Sequence, residues 1–394
     1  MNVRDINRPI ATKEHYNVIV VGGGIAGVSA AVSAARNGVS VLLLEKSVNL
    51  GGLATGGLIS WYEPLCDGKG EKMMCGMAEE LIKLACRYGF ENLPEKWGGA
   101  GKNKPRNERY STFYSPGLFS AALDSFVCDS GVKLRFDTLA TYPVMKNGLC
   151  EGVVAESADG CEFFEADVVI DATGDASVMH RAGVPTVDGK NYMTYISHWF
   201  TKDEVKKLAE DGDICAFRRW MNAGSDMLGN GHPEGMKMVS GTSADDITEY
   251  VVTGKRRMLE RVASLDQNSY DIMTIPTMPQ FRTVRRIVGN TDFCAINGEK
   301  FADSIGSCGD FRPTGIGNHY ELPLGALWNR AFPNMLAAGR IISAPQDDGW
   351  EVSRVIPVCA LTGEAAGKAA TMCVKEKKAL GALTVSDIEK IRIN

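Results

Sequence analysis

The chain has 394 residues, enough for two domains at the usual 100–200 residues each, and its 44% hydrophobic and 23% charged residues are the balance of an ordinary globular protein. Its 43 basic and 48 acidic residues leave a net charge of −5 with no long block of one sign, which argues against nucleic acid or an anionic membrane as partner. The opening MNVRDINRPIATKE lacks the apolar run of a signal peptide and nothing approaches the roughly 18 apolar residues of a spanning helix, so a cytoplasmic location is expected.

The first predicted element is a short β-branched strand, Val18–Val21, running into G-x-G-x-x-G at Gly22, Gly24 and Gly27. A helix follows, then a second apolar strand, Val41–Leu44, closed by Glu45. Each part has a mechanical task in holding a dinucleotide. Gly22 permits the sharp turn out of the strand, Gly24 lets a pyrophosphate approach bare backbone, and Gly27 lets the helix pack closely on the sheet. The helix N-terminus offers unpaired N–H groups and the positive end of its dipole to the phosphates. Glu45 lies 18 residues beyond Gly27, where a carboxylate accepts hydrogen bonds from ribose hydroxyls and repels a 2′-phosphate, disfavouring NADP.

A second flexible segment, Gly51-Gly52-Leu53-Ala54-Thr55-Gly56-Gly57, comes directly afterwards. Gly98–Arg109 is glycine-rich and basic without apolar periodicity. It reads as a solvated loop or as a lid carrying Lys102, Lys104, Arg106 and Arg109 toward an anionic substrate. Ser115 as N-cap and Pro116 in the first turn start a helix with Leu118, Phe119, Ala122, Leu123 and Phe126 on one face. Lys133–Asp137 reads as the next parallel strand. Asn147-Gly148 and Asp159-Gly160 break residues 140–165 into hairpins, predicting a three-stranded meander laid across the parallel sheet.

Beyond it, the apolar strand Ala166–Asp171 runs into A-T-G-D at Ala172–Asp175. Residues 182–324 differ in texture, with Met193, Tyr195, His198, Trp199, Trp220, Met221, Met227 and Met236 read mainly as core, and Asp203–Asp211 as a polar-faced helix. The last helix, about Val355–Val374, has Pro357 in its first turn and a stripe of small residues at Ala360, Gly363, Gly367 and Ala370 that allows close backbone approach. The 11 cysteines contain no C-x-x-C, and the nearest pair, Cys66 and Cys75, is nine positions apart. Neither an iron–sulfur cluster, a zinc site nor a redox dithiol is expected, and no metal.

The glycine turn with Glu45, the Gly51–Gly57 segment and A-T-G-D are joined by two further segments, the R-x-x-R-R-I-x-G run Arg282–Gly289 and the run Asn334–Ser343. Together they resemble the FAD-dependent oxidoreductases of the glutathione-reductase-like superfamily, in particular the single-flavin family related to the heterodisulfide reductase flavoprotein. The resemblance implies FAD as cofactor and an α/β fold class: a Rossmann-like FAD-binding domain, a parallel sheet with a β-meander, plus an inserted α+β substrate domain. Residues 1–60, 112–181 and 325–394 would form the FAD-binding domain, and 61–111 with 182–324 the substrate or cap domain.

By the same resemblance, cofactor contacts fall on Gly22, Gly24, Ile25, Ala26 and Gly27, on Glu45 and Lys46, and on Gly51, Gly52, Ala54 and Thr55. Further contacts fall on Ala140, on Ala172, Gly174 and Asp175, and on Gly339, Arg340, Arg354 and Val355. The chain departs from its heterodisulfide relatives in lacking their cluster-binding cysteines.

No second G-x-G-x-x-G with strand and acidic residue occurs, so a dedicated nicotinamide domain is not expected. The expected function is hydride transfer between a small organic substrate, an anionic one among the candidates, and flavin N5. Electrons would pass to or from a substrate, unanchored NADH, a quinone or another protein. A flavin electron-transfer subunit of a larger complex and a flavin monooxygenase are the alternatives. Only five histidines exist to move a proton near neutral pH. His319 in GIGNHYELP is the first choice, with Tyr320 assisting, and His198 is the second. Arg282, Arg285 and Arg286 offer a fork for an oxyanion or else salt bridges between domains, with Arg286 chosen for the site. Arg354, at the positive end of the last helix, is expected to raise the flavin's redox potential.

Overall fold

In a computed structural model, which describes residues 9–89, 93, 110–212, 214, 219–226, 228–345 and 349–393, the elements follow one another as follows. β1 (Ala11–Val21), α1 (Ile25–Arg36) and β2 (Val41–Leu44) are followed by α2 (Gly76–Arg87), α3 (Pro116–Asp129) and β3 (Lys133–Arg135). Then come β4 (Leu139–Lys146), β5 (Leu149–Ser157), β6 (Gly160–Asp171), β7 (Ile196–Thr201), α4 (Lys202–Asp211), β8 (Arg219–Asn222) and α5 (Ala244–Ala263). β9 (Tyr270–Thr274), β10 (Met335–Ala337), α6 (Ile356–Glu376) and α7 (Val385–Ile391) complete the elements used below. Among the described residues no helix is long and apolar enough to cross a membrane.

The main sheet runs β3-β2-β1-β6-β5-β4, with β10 also against β6. β1, β2 and β3 are parallel, with Val18 opposite Val41 and Leu42 opposite Lys133. The apolar runs Val18–Val21 of β1 and Val41–Leu44 of β2 are buried on both faces, as a parallel sheet covered by helices requires, while Leu134 of the edge strand β3 is only partly buried.

The expected meander laid across this sheet is instead part of it. β6 is one unbroken strand whose first half pairs antiparallel with β5, from Gly160 to Glu165, and whose last residues, Val169–Asp171, pair parallel with β10. Its other edge carries β1 throughout, so the meander's third strand and the returning strand of the nucleotide domain are the same element. β1 begins at Ala11, seven residues before its apolar part, because the exposed Ala11–His15 stretch still pairs through its backbone with Glu162–Glu165.

α1 and α6 pack against each other behind the sheet. A Cβ on Gly363 would fall 2.1 Å from Ala26 O, and one on Gly367 2.4 Å from Ala30 O. The small-residue stripe therefore has its partner in α1, and Ser33 Oγ donates to Glu364 O at 3.0 Å across the same contact. α3 buries Phe119, Ala122, Leu123 and Val127; Leu118, expected on that face, is 44% exposed.

A second, antiparallel sheet, β8-β7-β9, is covered by α5, and together they enclose a separate apolar cluster. Its members, Met193, Tyr195, Met221, Tyr250, Met258 and Phe281 among them, lie between residues 193 and 284. Met193, Tyr195 and Met221 are core as expected, while Trp220 is 38% exposed and Met227 lies outside the described residues. The cap core is thus narrower than the expected 61–111 plus 182–324. α2 packs into the main core through Met77, Leu81 and Ile82, and so do Ile287, Phe293, Ile305 and Tyr320. Met77 N donates to Glu364 Oε2 at 2.7 Å, tying the start of α2 to α6. α4 keeps the expected polar face: Thr201 and Glu204 form a reciprocal cap and none of its residues is buried.

Candidate active site

The turn between β1 and α1 is built as a cradle. Gly22 has φ +99°, and a Cβ there would meet Ala172 O at 2.6 Å; at Gly27 it would lie 1.8 Å from Gly22 O. Those two glycines are required by protein packing alone. Gly24 is different, since a Cβ on it meets no atom within 4 Å, so its backbone faces open space at the N-terminus of α1. The Gly51–Gly57 segment closes on the same place. Gly51 N donates to Gly23 O at 2.8 Å, and Gly51 and Gly52 both take left-handed φ values. Bare backbone, a helix N-terminus and an adjacent glycine loop fit a dinucleotide pyrophosphate.

Glu45 stands at the far end of the cradle, with Oε2 accepting from Gly23 N at 2.6 Å and Oε1 from Ser47 N at 2.8 Å. Each oxygen keeps lone-pair capacity for a ribose hydroxyl. Thr55 Oγ1 donates to Leu50 O and fixes the loop, while Ala54 is buried beneath it. Ala140 is buried in β4 opposite Ala155. Ala172–Asp175 turns tightly because the buried Asp171 accepts from Thr173 N and Oγ1 and from the N–H groups of Val178 and Met179.

Arg340 joins three parts of the chain. Its Nε donates to Gly174 O at 2.7 Å and its Nη1 to Phe281 O at 2.8 Å, and burial lowers its pKa. Gln280, one residue before Phe281, donates from Nε2 to Gly57 O at 2.7 Å and to Ile196 O at 2.9 Å. The segment 280–282 of the cap is therefore fastened to both loops that flank the nucleotide cleft.

The expected catalytic residues do not converge. His319 Nε2 lies 3.5 Å from Asp67 Oδ2 and 3.8 Å from Glu71 Oε2, and its side chain is 41% exposed. The three side chains bring ligand atoms within 4.8 Å of one another, a spacing exposed acidic groups commonly reach without a metal. Tyr320 is buried in the main core, with its hydroxyl donating to Asp310 Oδ2 at 2.9 Å and accepting from Asn318 Nδ2 at 2.8 Å. Arg312 forks onto the same carboxylate. Burial pushes the Asp310 carboxyl up, but Arg312 and Tyr320 outweigh it and hold it below the usual range.

His198 is the histidine that reaches the cleft loop. It is buried in β7, with Nε2 3.2 Å from Leu58 O, 3.4 Å from Ser60 Oγ and 3.1 Å from Trp220 Nε1. The indole N–H can only donate, so Nε2 either accepts from Trp220 or, with Trp220 turned to Ser60 Oγ at 3.3 Å, donates to Leu58 O. His15, His180 and His232 are engaged with Asp167, Thr186 and the backbone of Met193 and Met236.

Of the arginines, Arg285 pairs with Asp188 at 3.0 Å and Arg286 with Asp292 at 3.6 Å, salt bridges that both lie within residues 182–324 rather than between the expected domains. Arg354 pairs with Glu351 immediately before α6 and lies 5.8 Å from the Phe311 ring centroid. The basic lid expected at Gly98–Arg109, with Lys102, Lys104, Arg106 and Arg109, lies outside the described residues. The juxtaposition of His198 with Ser60 and of Gln280 with Gly57 has no local signal, because each pair is separated by more than a hundred residues.

Parallel sheet, glycine cradle and cap define a dinucleotide-dependent α/β enzyme. The chain matches the FAD dependent oxidoreductase family over residues 17–195 and 233–392 and belongs to it, with FAD as its cofactor. It is 24% identical over 363 residues to digeranylgeranylglycerophospholipid reductase of Methanoculleus marisnigri, covering 87% of this chain and 83% of the relative. It is 30% identical over 186 residues to digeranylgeranylglycerophospholipid reductase 2 of Methanothermobacter thermautotrophicus, 43% of either chain. The structure of p-nitrophenol 4-monooxygenase PnpA from Pseudomonas putida has the same fold, with a TM-score of 0.51 at 10% identity over 97% of this chain and 84% of that one.

Proposed function

We propose that the chain transfers hydride between a small organic substrate and FAD, with the substrate seated between the Gly57–Ser60 loop and the cap strands β7 and β8. The observation that carries this reading is the fastening of cap residues Gln280 and Phe281 to Gly57 and, through Arg340, to Gly174. A cap tied to both walls of the nucleotide cleft holds a substrate in register and excludes water from it. FAD, when bound, supplies the hydride acceptor or donor at the ring. His198 is the proton-handling group, because its Nε2 already sits among Leu58 O, Ser60 Oγ and Trp220 Nε1 at the loop. Arg354 supplies positive charge at the start of α6, where the helix dipole adds to it. The similarity over 87% of the chain to one named reductase supports a substrate oxidoreductase over an electron-transfer subunit.

Anaerobic photoreduction of the purified holoprotein, followed by mixing with organic acceptors, NADH or oxygen, tests the proposal. Reoxidation by an organic acceptor, slowed in His198→Ala, is the expected outcome. Rapid oxygen consumption with a hydroxylated product would replace this reading with a monooxygenase. Reoxidation only by a co-purifying protein would replace it with an electron-transfer subunit.

A further inference from the structure

The backbone on both sides of Arg282 is held by named hydrogen bonds, while its guanidinium has no partner among the described residues. The Arg282 backbone N–H donates to Asn191 Oδ1 at 2.8 Å, and that of Thr283 to the same oxygen at 3.0 Å. Asn191 is itself buried and donates from Nδ2 to Val239 O at 3.1 Å. The preceding residues are held by Arg340 on Phe281 O and by Gln280 on Gly57 O. The Arg282 backbone is thus fixed two residues from the contact with the cleft loop, while among the described residues its partly buried guanidinium makes no side-chain hydrogen bond or ion pair.

Partial burial disfavours its charged form, and the Arg354 guanidinium adds to this. Glu351, the carboxylate that most offsets both, is already bonded to Arg354. A partly desolvated guanidinium near a second one is stabilised by an anion that bonds to it. A carboxylate matches the planar fork with two parallel N–H···O bonds.

We infer that Arg282 is the anion-binding residue of the substrate pocket and that the substrate carries a carboxylate. The inference rests on the substrate site proposed above. Arg285 has the opposite construction, a guanidinium already paired with Asp188, and serves as the internal control.

The test uses FAD-loaded protein, calorimetry and the flavin absorbance spectrum, with a series of small mono- and dicarboxylates and their amides as probes. The carboxylates are expected to bind and perturb the spectrum, the amides not to. Binding should weaken about 10–100-fold in Arg282→Met, less in Arg282→Lys, and stay unchanged in Arg285→Met. Without any probe, Arg282→Met should raise the Tm of the holoprotein, because a partly buried, unpaired charge is removed. A lowered Tm, carboxylate binding undiminished in Arg282→Met, binding to no carboxylate, or loss of FAD from the variant would each overturn the assignment. If neutral compounds turn over while no carboxylate binds, the substrate site stands and the anion inference falls. If no organic compound exchanges electrons with the flavin, the substrate reading itself falls.

Discussion

The Glu45 carboxylate and the Gly23 N–H meet at 2.6 Å, so the residue that closes β2 also buttresses the glycine turn that ends β1. Its other oxygen accepts from Ser47 N at 2.8 Å, which leaves two backbone donors dependent on one side chain. Glu45→Gln turns an acceptor into a donor at one of them. A stability loss of about 1–3 kcal/mol by urea denaturation is expected, together with weaker FAD binding. Unchanged stability would mean that the turn holds its shape without the carboxylate.

Gly24 and Gly27 separate the cofactor's demand from the fold's. Gly24→Ala meets no protein atom and should shift the Tm of the apoprotein by no more than about 4 °C. It should weaken FAD binding roughly tenfold or more, because the methyl group takes the place of the pyrophosphate. Gly27→Ala drives a methyl group into Gly22 O and should give little soluble protein. FAD content by absorbance near 450 nm and thermal denaturation read both effects. Full FAD occupancy in Gly24→Ala would remove that residue from the cradle.

The cradle is legible in the sequence because local backbone geometry forces each residue type in it: positive φ at Gly22, backbone contact at Gly27, a carboxylate at the strand end. The small-residue stripe of α6 is legible for a similar reason, although its partner α1 is not, since spacing within a helix says nothing of what it faces. The first half of β1 is invisible because Thr12–His15 are polar and are held by backbone pairing with β6 and by the Lys13–Glu162 ion pair, neither of which has a local signal. The continuity of β6 is hidden because nothing between Glu165 and Val168 distinguishes one long strand from two short ones. The glycines flanking Ile316 do mark a turn at His319, but Gly317 N donates to Asp67 O at 2.7 Å and the turn carries the imidazole to Asp67. His198 meets Ser60 across 138 residues, a contact that only the docked cap creates.

In the proposed reading, Arg354 and the start of α6 supply the positive charge at one end of the site. The Glu351 carboxylate bonded to Arg354 reduces that field without cancelling it. Arg354→Ala should therefore make the FAD midpoint potential more negative by on the order of 20–40 mV, the equivalent of about 1–2 kcal/mol for a two-electron couple. Anaerobic titration against reference dyes measures it, and an unshifted potential would leave Arg354 with a structural role only.

Asp387 predicts an acid-side loss of stability that has nothing to do with the flavin. Hydrogen bonds from Thr384 and the Lys378 ammonium lower its carboxyl from the ordinary 3.8 to about 2. A carboxyl depressed in the folded state binds protons more weakly there than in the unfolded chain. Its stabilisation is therefore complete above about pH 4 and is lost as pH falls toward 2. Urea midpoints of the wild type and Asp387→Asn should differ by a constant amount at neutral pH and converge near pH 2. A difference that persists at pH 2 would place the effect in packing at the start of α7.

Cys359 lies in the first turn of α6 with its thiol 3.4 Å from Arg354 O and close to Gly339, two of the residues expected to contact the flavin, so its position alone suggests a reactive group. A helix N-terminus and the charges of Arg340 and Arg354 favour the thiolate, but burial outweighs them and pushes the pKa up to about 11. Roughly one molecule in a thousand would carry the thiolate at pH 8. Iodoacetamide at that pH should label the exposed Cys128 long before Cys359 in native protein, and Cys359→Ser should keep its FAD and its turnover. Rapid alkylation of Cys359 with parallel loss of turnover would show that the thiol is ionised beside the cofactor and takes part in the chemistry.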